Sequence, residues 1–214
     1  MGCLMHRRGS ALRSPSARRK PVGVTLTKGQ QISLEKSGGQ PLSVVRMGLG
    51  WQAAPRKGFL AKLTAREIDL DASAVLFAGN EPVDVVFFQR LISDDGSVRH
   101  TGDNLVGSAG QGGDDESILV DLLRLPAHVD QIVFTVNSFT GQTFAEVQNA
   151  FCRLIDENTG QELARYTLSG GGSYTAQIMA KVHRSSGGWH MSAIGEPANG
   201  RTFQDLMPAI ASHL

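Results

Sequence analysis

Residues 69–77, Asp-Leu-Asp-Ala-Ser-Ala-Val-Leu-Phe, decide the fold. Polar and apolar side chains alternate along them, the two-residue period of a strand that lays one face on a core. The alternation recurs on both sides. VTLT (24–27), QISLEK (31–36) and SVVRMGLGW (43–51) precede this stretch. VDVVFF (83–88), ESILVDL (116–122), QIVFTVNSF (131–139), QELARYTLS (161–169), TAQIMAKVHR (175–184) and WHMSAIG (189–195) follow it. KGQ (28–30), DDG (94–96), ENTG (157–160) and SSGG (185–188) lie in the gaps and offer Gly or Asn where a hairpin turn needs positive φ. About ten strands joined by tight turns predict an all-β domain, a two-sheet antiparallel β-sandwich.

One or two short helices complete the prediction. Thr143 with Glu146 and Thr202 with Asp205 are T-x-x-acid boxes, in which side chains at a helix start satisfy each other's backbone amides. The second box opens a C-terminal helix whose Phe203, Leu206 and Ile210 would pack on the sandwich, with Pro208 kinking or ending it. At the first box two outcomes stay open. Phe144, Val147, Phe151 and Leu154 would allow a helix to Ile155, whereas a sandwich would prefer one turn and then a strand from about Ala150. Residues 52–67 read as a basic loop, or a short helix, inserted before the 69–77 strand.

With 214 residues and 41% hydrophobic side chains the chain can bury one sizeable core, and one domain over 22–214 is expected. Residues 1–21 hold six bases (Arg7, Arg8, Arg13, Arg18, Arg19, Lys20) and no acid, leaving fifteen bases against twenty acids in the rest. Without apolar periodicity, 1–21 is expected to be a disordered extension, or to follow from a start placed too far upstream, rather than a nucleic-acid or membrane binder. No seven-residue apolar core follows its charges, and His6 stands where a myristoylation signal needs Ser or Thr. No apolar run approaches the ~18 residues of a membrane span. Cys3 and Cys152 make no disulfide framework, and a cytoplasmic location is expected.

Chemistry concentrates in one stretch. From Glu67 to Asp121 lie twelve of the twenty carboxylates, with only Arg90 and Arg99 as bases. At ~5 Å and an effective dielectric of about 20, each like-charged pair repels by roughly 3 kcal/mol, so a positive centre is expected among them. Small acids on glycine-rich backbone suit a hard divalent cation, Ca²⁺ above all, which takes about 6–8 oxygens. Asp69 and Asp71 would project from one strand face about 7 Å apart while Leu70 and Ala72 enter the core. Asp103 and Asn104 in TGDN, then Asp114, Asp115 and Glu116 in GGDDE, sit in loops beside further strands, with Asp94 and Asp95 in a turn nearby. The EF-hand spacing is absent. The alternative function is a metal-dependent hydrolase or phosphoryl-transfer enzyme using the same acids with His100 as base. His183 and His190 could meet across the SSGG hairpin but lack a third zinc ligand. Trp51 and Trp189 read as core or sheet-edge aromatics.

GVTLTKG (23–29), GLGW (48–51), IDLDAS (68–73), DGSVRHTGDN (95–104), GDDE (113–116), VFTVNSFTGQTFAEVQNAFCRL (133–154) and AIGEPANGRTFQDL (193–206), in this order, resemble the TerD family of tellurite-resistance and stress proteins. The resemblance runs from about Val22 to Leu214. It implies a β-sandwich binding two Ca²⁺ ions at acidic loops, through Asp69 and Asp71, Asp103 and Asn104, and Asp114, Asp115 and Glu116. It also implies action in resistance to tellurite and other stresses, and the function expected is a non-enzymatic, Ca²⁺-dependent scaffold or interaction module with protein partners in such a system. This chain departs from the family pattern at GDNLVGSAGQGGDDE, two residues longer and with Ser108 in place of an acid, so weaker binding or a single ion is expected.

Overall fold

The computed structural model describes residues 23–36, 38–53, 68–102, 113–168 and 172–214. These form twelve strands: β1 (Val24–Thr25), β2 (Gln31–Ser33), β3 (Val44–Ala53), β4 (Leu70–Ala78), β5 (Glu81–Val86), β6 (Val98–His100), β7 (Glu116–Asp121), β8 (Gln131–Ser138), β9 (Val147–Asp156), β10 (Gln161–Thr167), β11 (Ala176–Ser185) and β12 (Gly188–Ala198). A helix, α1 (Phe203–Ile210), follows them. The strands make two six-stranded sheets in the orders β1-β10-β9-β3-β7-β6 and β2-β12-β11-β8-β4-β5. The sandwich is as expected, with one exception to its antiparallel pairing: β1 runs parallel to β10, Val24 against Ala164.

The core lies between the sheets, where β3 sends Val45, Met47, Leu49 and Trp51 toward Leu70, Ala72, Ala74 and Leu76 of β4. Each fully buried Leu, Val or Phe contributes about 1.5–3 kcal/mol relative to exposure. β4 is buried on both faces. Its second face carries Val75 and Phe77, which join Val133, Ile178 and Ile194 under Leu206 and Ile210 of α1. The C-terminal helix therefore covers the outer face of the second sheet, as its apolar stripe predicts.

Both boxes at Thr143 and Thr202 form, with Glu146 Oε2 accepting from Thr143 N at 2.9 Å and Asp205 Oδ2 from Thr202 N at 3.2 Å. Only the second opens an α-helix. After Thr143 a single 3-10 turn, Phe144–Glu146, gives way at once to β9. Pro208 neither ends nor breaks α1, which runs two residues further before a 3-10 turn at Ala211–His213. The inserted segment from residue 54 onward, and the 1–21 extension, lie outside the described residues. Cys152 is fully buried in β9, and burial pushes its thiol up to about 12, so it is an inert core residue. Among the described residues no helix is long and apolar enough to cross a membrane.

Candidate functional site

Glu116 meets β4 where β5 stops short of it. β5 pairs with β4 only from Ala74 onward, which leaves the backbone of residues 70–73 open on that side. β7, from the other sheet, packs there instead. Glu116, first residue of β7, points inward, and its Oε2 accepts the Ala72 amide at 2.8 Å, joining the two sheets by a bond shielded from water. His100 of β6 enters the same space, with Nε2 3.4 Å from Glu116 Oε2 and both side chains 0% exposed. Its Nδ1 accepts Gly102 N–H at 3.1 Å, which puts the neutral ring's proton on Nε2, facing the carboxylate.

Trp51 frames the site from β3. Its backbone N–H donates to Asp115 Oδ2 at 2.9 Å, and its indole N–H donates to Ile68 O at 2.8 Å, beside Asp69. Trp51 thus ties Asp115 to the backbone next to Asp69, and the Ala72 amide ties Glu116 to the backbone next to Asp71. Asp71 departs from expectation. It is 5% exposed rather than solvated, because it sits opposite Asn137 on a face roofed by the chain around Gly200, whose carbonyl accepts from Asn137 Nδ2 and Thr175 Oγ1. Asp103 and Asn104 lie outside the described residues.

Asp114 goes elsewhere. It lies on the outer face of the first sheet above Gly48, where Oδ2 accepts from Arg46 Nη1 at 2.8 Å and Oδ1 from Arg153 Nε at 2.6 Å. With a side chain only 3% exposed, both oxygens are committed to guanidinium groups. The network extends from Arg46 to Glu157 and from Arg153 to Glu162, which also accepts twice from Arg165. Arg165 stacks 4.0 Å over the Phe151 ring. Arg46 and Arg153 were not singled out by the sequence; the GLG run, which supplies the flat floor beneath Asp114 and Phe151, was their one signal.

The bonds from Arg165, opposed by burial and helped by Arg153, hold the Glu162 carboxyl below its ordinary value of 4.5. With the folded value below the unfolded one, this stabilisation is complete above the ordinary glutamate value and fades as pH falls through the folded value. An Arg165→Met variant is expected to lose less stability than the native chain between about pH 5 and pH 3 in thermal melts; equal losses would contradict this.

Four other acids of the 67–121 stretch are met by Arg90 or by turn donors. Asp84 and Asp94 bind Arg90, and Asp84 also accepts from the Asp94 amide. Asp95 closes its turn through Ser93 Oγ and Ser97 N, and Asp121 caps the turn at Leu123 and Arg124. Among the described residues no group of three or more His, Cys, Asp or Glu side chains is placed to hold a metal on its own.

The chain is a two-sheet β-sandwich protein in which Asp71 and Glu116 are buried. The TerD domain family model matches residues 22–209, and the chain belongs to that family. It is 45% identical over 192 residues to tellurium resistance protein TerZ of Serratia marcescens, covering 88% of this chain and 97% of that one. Stress response protein SCP2 of Bacillus subtilis is 36% identical over 198 residues, covering 87% and 98%. The fold matches the crystal structure of a homologue of telluride resistance protein (TerD) from Streptomyces coelicolor A3(2), with TM-score 0.64 at 20% identity over 79% of this chain and 98% of that one. The relatives carry resistance and stress names, and this chain is a tellurium-resistance and stress-response type protein.

Proposed function

We propose that this chain is a non-enzymatic Ca²⁺-binding protein, acting in the cytoplasm as an ion-dependent scaffold for a protein partner in a tellurite-resistance or stress system. The observation that supports the reading is the meeting of the buried Glu116 carboxylate of one sheet with the Ala72 amide of the other, next in sequence to Asp71. The proposed ligands are carboxylates and one side-chain amide, oxygen donors of the kind that Ca²⁺ favours over softer metals. Asp69, Asp71, Asp115 and Glu116 would hold the ion, together with Asp103 and Asn104 from the neighbouring segment. Asp114 is left out of this set, because its oxygens already bind Arg46 and Arg153. Bound Ca²⁺ would supply a positive centre that offsets the carboxylates and fixes the loops against the sandwich. Trp51 and the Ala72 amide orient Asp115 and Glu116 for it.

The hydrolase alternative is disfavoured by His100, whose side chain is sealed from solvent and whose Nδ1 is occupied by Gly102. A base must reach the proton that it removes.

Calcium at one hundred times its dissociation constant should stabilise the fold by about 2.7 kcal/mol through mass action. Calorimetric titration and melting curves with and without chelator measure this. Curves that coincide for the native chain and an Asp71→Ala, Asp115→Ala variant would remove the proposal.

A further inference from the structure

Asn137 of β8 is 1% exposed on the outer face of the second sheet, directly opposite Asp71 of β4 on one side and Ala176 of β11 on the other. Its amide group has a fixed orientation. Nδ2 donates to Gly200 O at 3.5 Å, and Gly200 is held there by its own N–H, which donates to Thr175 Oγ1 at 3.2 Å. With the NH₂ group drawn to that carbonyl, Oδ1 turns away from Gly200. It is a buried atom with no hydrogen-bond partner among the described residues. Thr135, two positions back on the same face and opposite Ser73, leaves a second such oxygen, Oγ1. Buried side-chain oxygens left so are uncommon unless something else engages them.

The cross-strand neighbours narrow what that is. Ala176 offers only a methyl group. Side chains directly opposite in an antiparallel pair have Cβ atoms ~4.5–5.5 Å apart, so the polar group beside Asn137 across the ladder is the buried Asp71 carboxyl. An asparagine next to a carboxylate ordinarily gives it the NH₂ group; here Gly200 has taken that group and the amide oxygen remains. Two acceptors share a buried place at low cost only when a positive centre serves both. We infer that Asn137 Oδ1 is a further ligand of the Ca²⁺ ion, reaching it from the strand beside Asp71, an inference that rests on the calcium reading above. Amide oxygen is a donor that Ca²⁺ accepts alongside carboxylates, whereas softer ions draw on imidazole or thiolate. β8 lies between β4 and β11, so ladder bonds on both sides hold this oxygen in place, and Ca²⁺ affinity rises with such rigidity.

The test is a Ca²⁺ titration of the full chain by calorimetry, with ¹⁵N–¹H spectra of the side-chain amides. Asn137→Ala should bind Ca²⁺ about tenfold or more weakly than the native chain, while Asn137→Asp, which keeps an oxygen there and adds a charge, should bind at least as tightly as the native chain. In the native chain the Asn137 Nδ2 signals should shift as Ca²⁺ saturates, a readout that needs no variant to fold. Native-like Ca²⁺ affinity in Asn137→Ala, an Asn137→Asp variant that binds no better than the alanine one, or Nδ2 signals that stay in place would overturn the assignment and leave the calcium reading standing. A native chain that takes up no Ca²⁺ would remove both.

Discussion

Replacing Asp114 by alanine is expected to destabilise the protein by about 2–3 kcal/mol and lower its melting temperature by roughly 4–12 °C. Removing one partner of a buried ion pair costs about 3–5 kcal/mol because the remaining charge is left without compensation. Here two guanidiniums are stranded, but Arg46 and Arg153 are 28% and 19% exposed, so water takes up part of the loss. The same variant separates two roles for the residue. On the proposed Ca²⁺ role, Asp114→Ala, which removes an anchor of the segment before β7, should change Ca²⁺ affinity less than Asp115→Ala does. If calorimetry finds the two affinities reduced alike, Asp114 is a ligand and the arginine clamp is secondary.

Gly48→Ala should be harmful by about 3 kcal/mol, against the usual sign. In an ordinary strand, alanine is better than glycine by roughly 0.5–1 kcal/mol. At Gly48 a Cβ would stand 2.2 Å from Asp114 Cγ and 2.4 Å from both of its oxygens. That carboxylate cannot swing aside without breaking its bonds to Arg46 and Arg153. Overpacking costs about 1–3 kcal/mol where neighbours can relax, and this neighbour is held from both sides. Denaturant melts of the single and double variants form a cycle in which Gly48→Ala with Asp114→Ala loses less than the sum by at least ~1 kcal/mol. Strict additivity would show that the carboxylate is not what glycine makes room for.

Strands with an undisturbed two-residue period were legible, β4 and β8 above all. β6 was not, since its three residues sit among the polar DGSVRHTGDN run with Val98 alone as an apolar side chain. β9 shows why Phe144, Val147, Phe151 and Leu154 imitate a helix. Asn149 sits at φ 52°, and the pairing with β3 shifts between Gly50 and Gln52, so the inward positions run Val147, Ala150, Cys152, Leu154 rather than strictly every second residue. A bulge moves the apolar pattern off its period, and only the partner strand reveals it.

The acidic cluster was legible as a region and not as individual roles. Counting charges between 67 and 121 suggested one shared need for a cation, yet Asp84, Asp94, Asp95 and Asp121 are met by Arg90 or by backbone and hydroxyl donors within turns. Adjacent Asp114, Asp115 and Glu116 look equivalent in sequence. They separate because one meets arginines from β3 and β9, the next a backbone amide at Trp51, and the third an amide in the opposite sheet. Those partners all lie 39–68 positions away. Separations of that size carry no local signature.

The margins of the two sheets have a bearing on how copies of this protein meet. β1, β2 and β6 offer two or three residues each, and β5 carries Pro82, which has no amide proton to give. A neighbouring backbone finds almost no ladder on which to extend a sheet. Self-assembly by strand addition is thereby discouraged, and recognition of any companion molecule falls to side chains on the broad surfaces and loops.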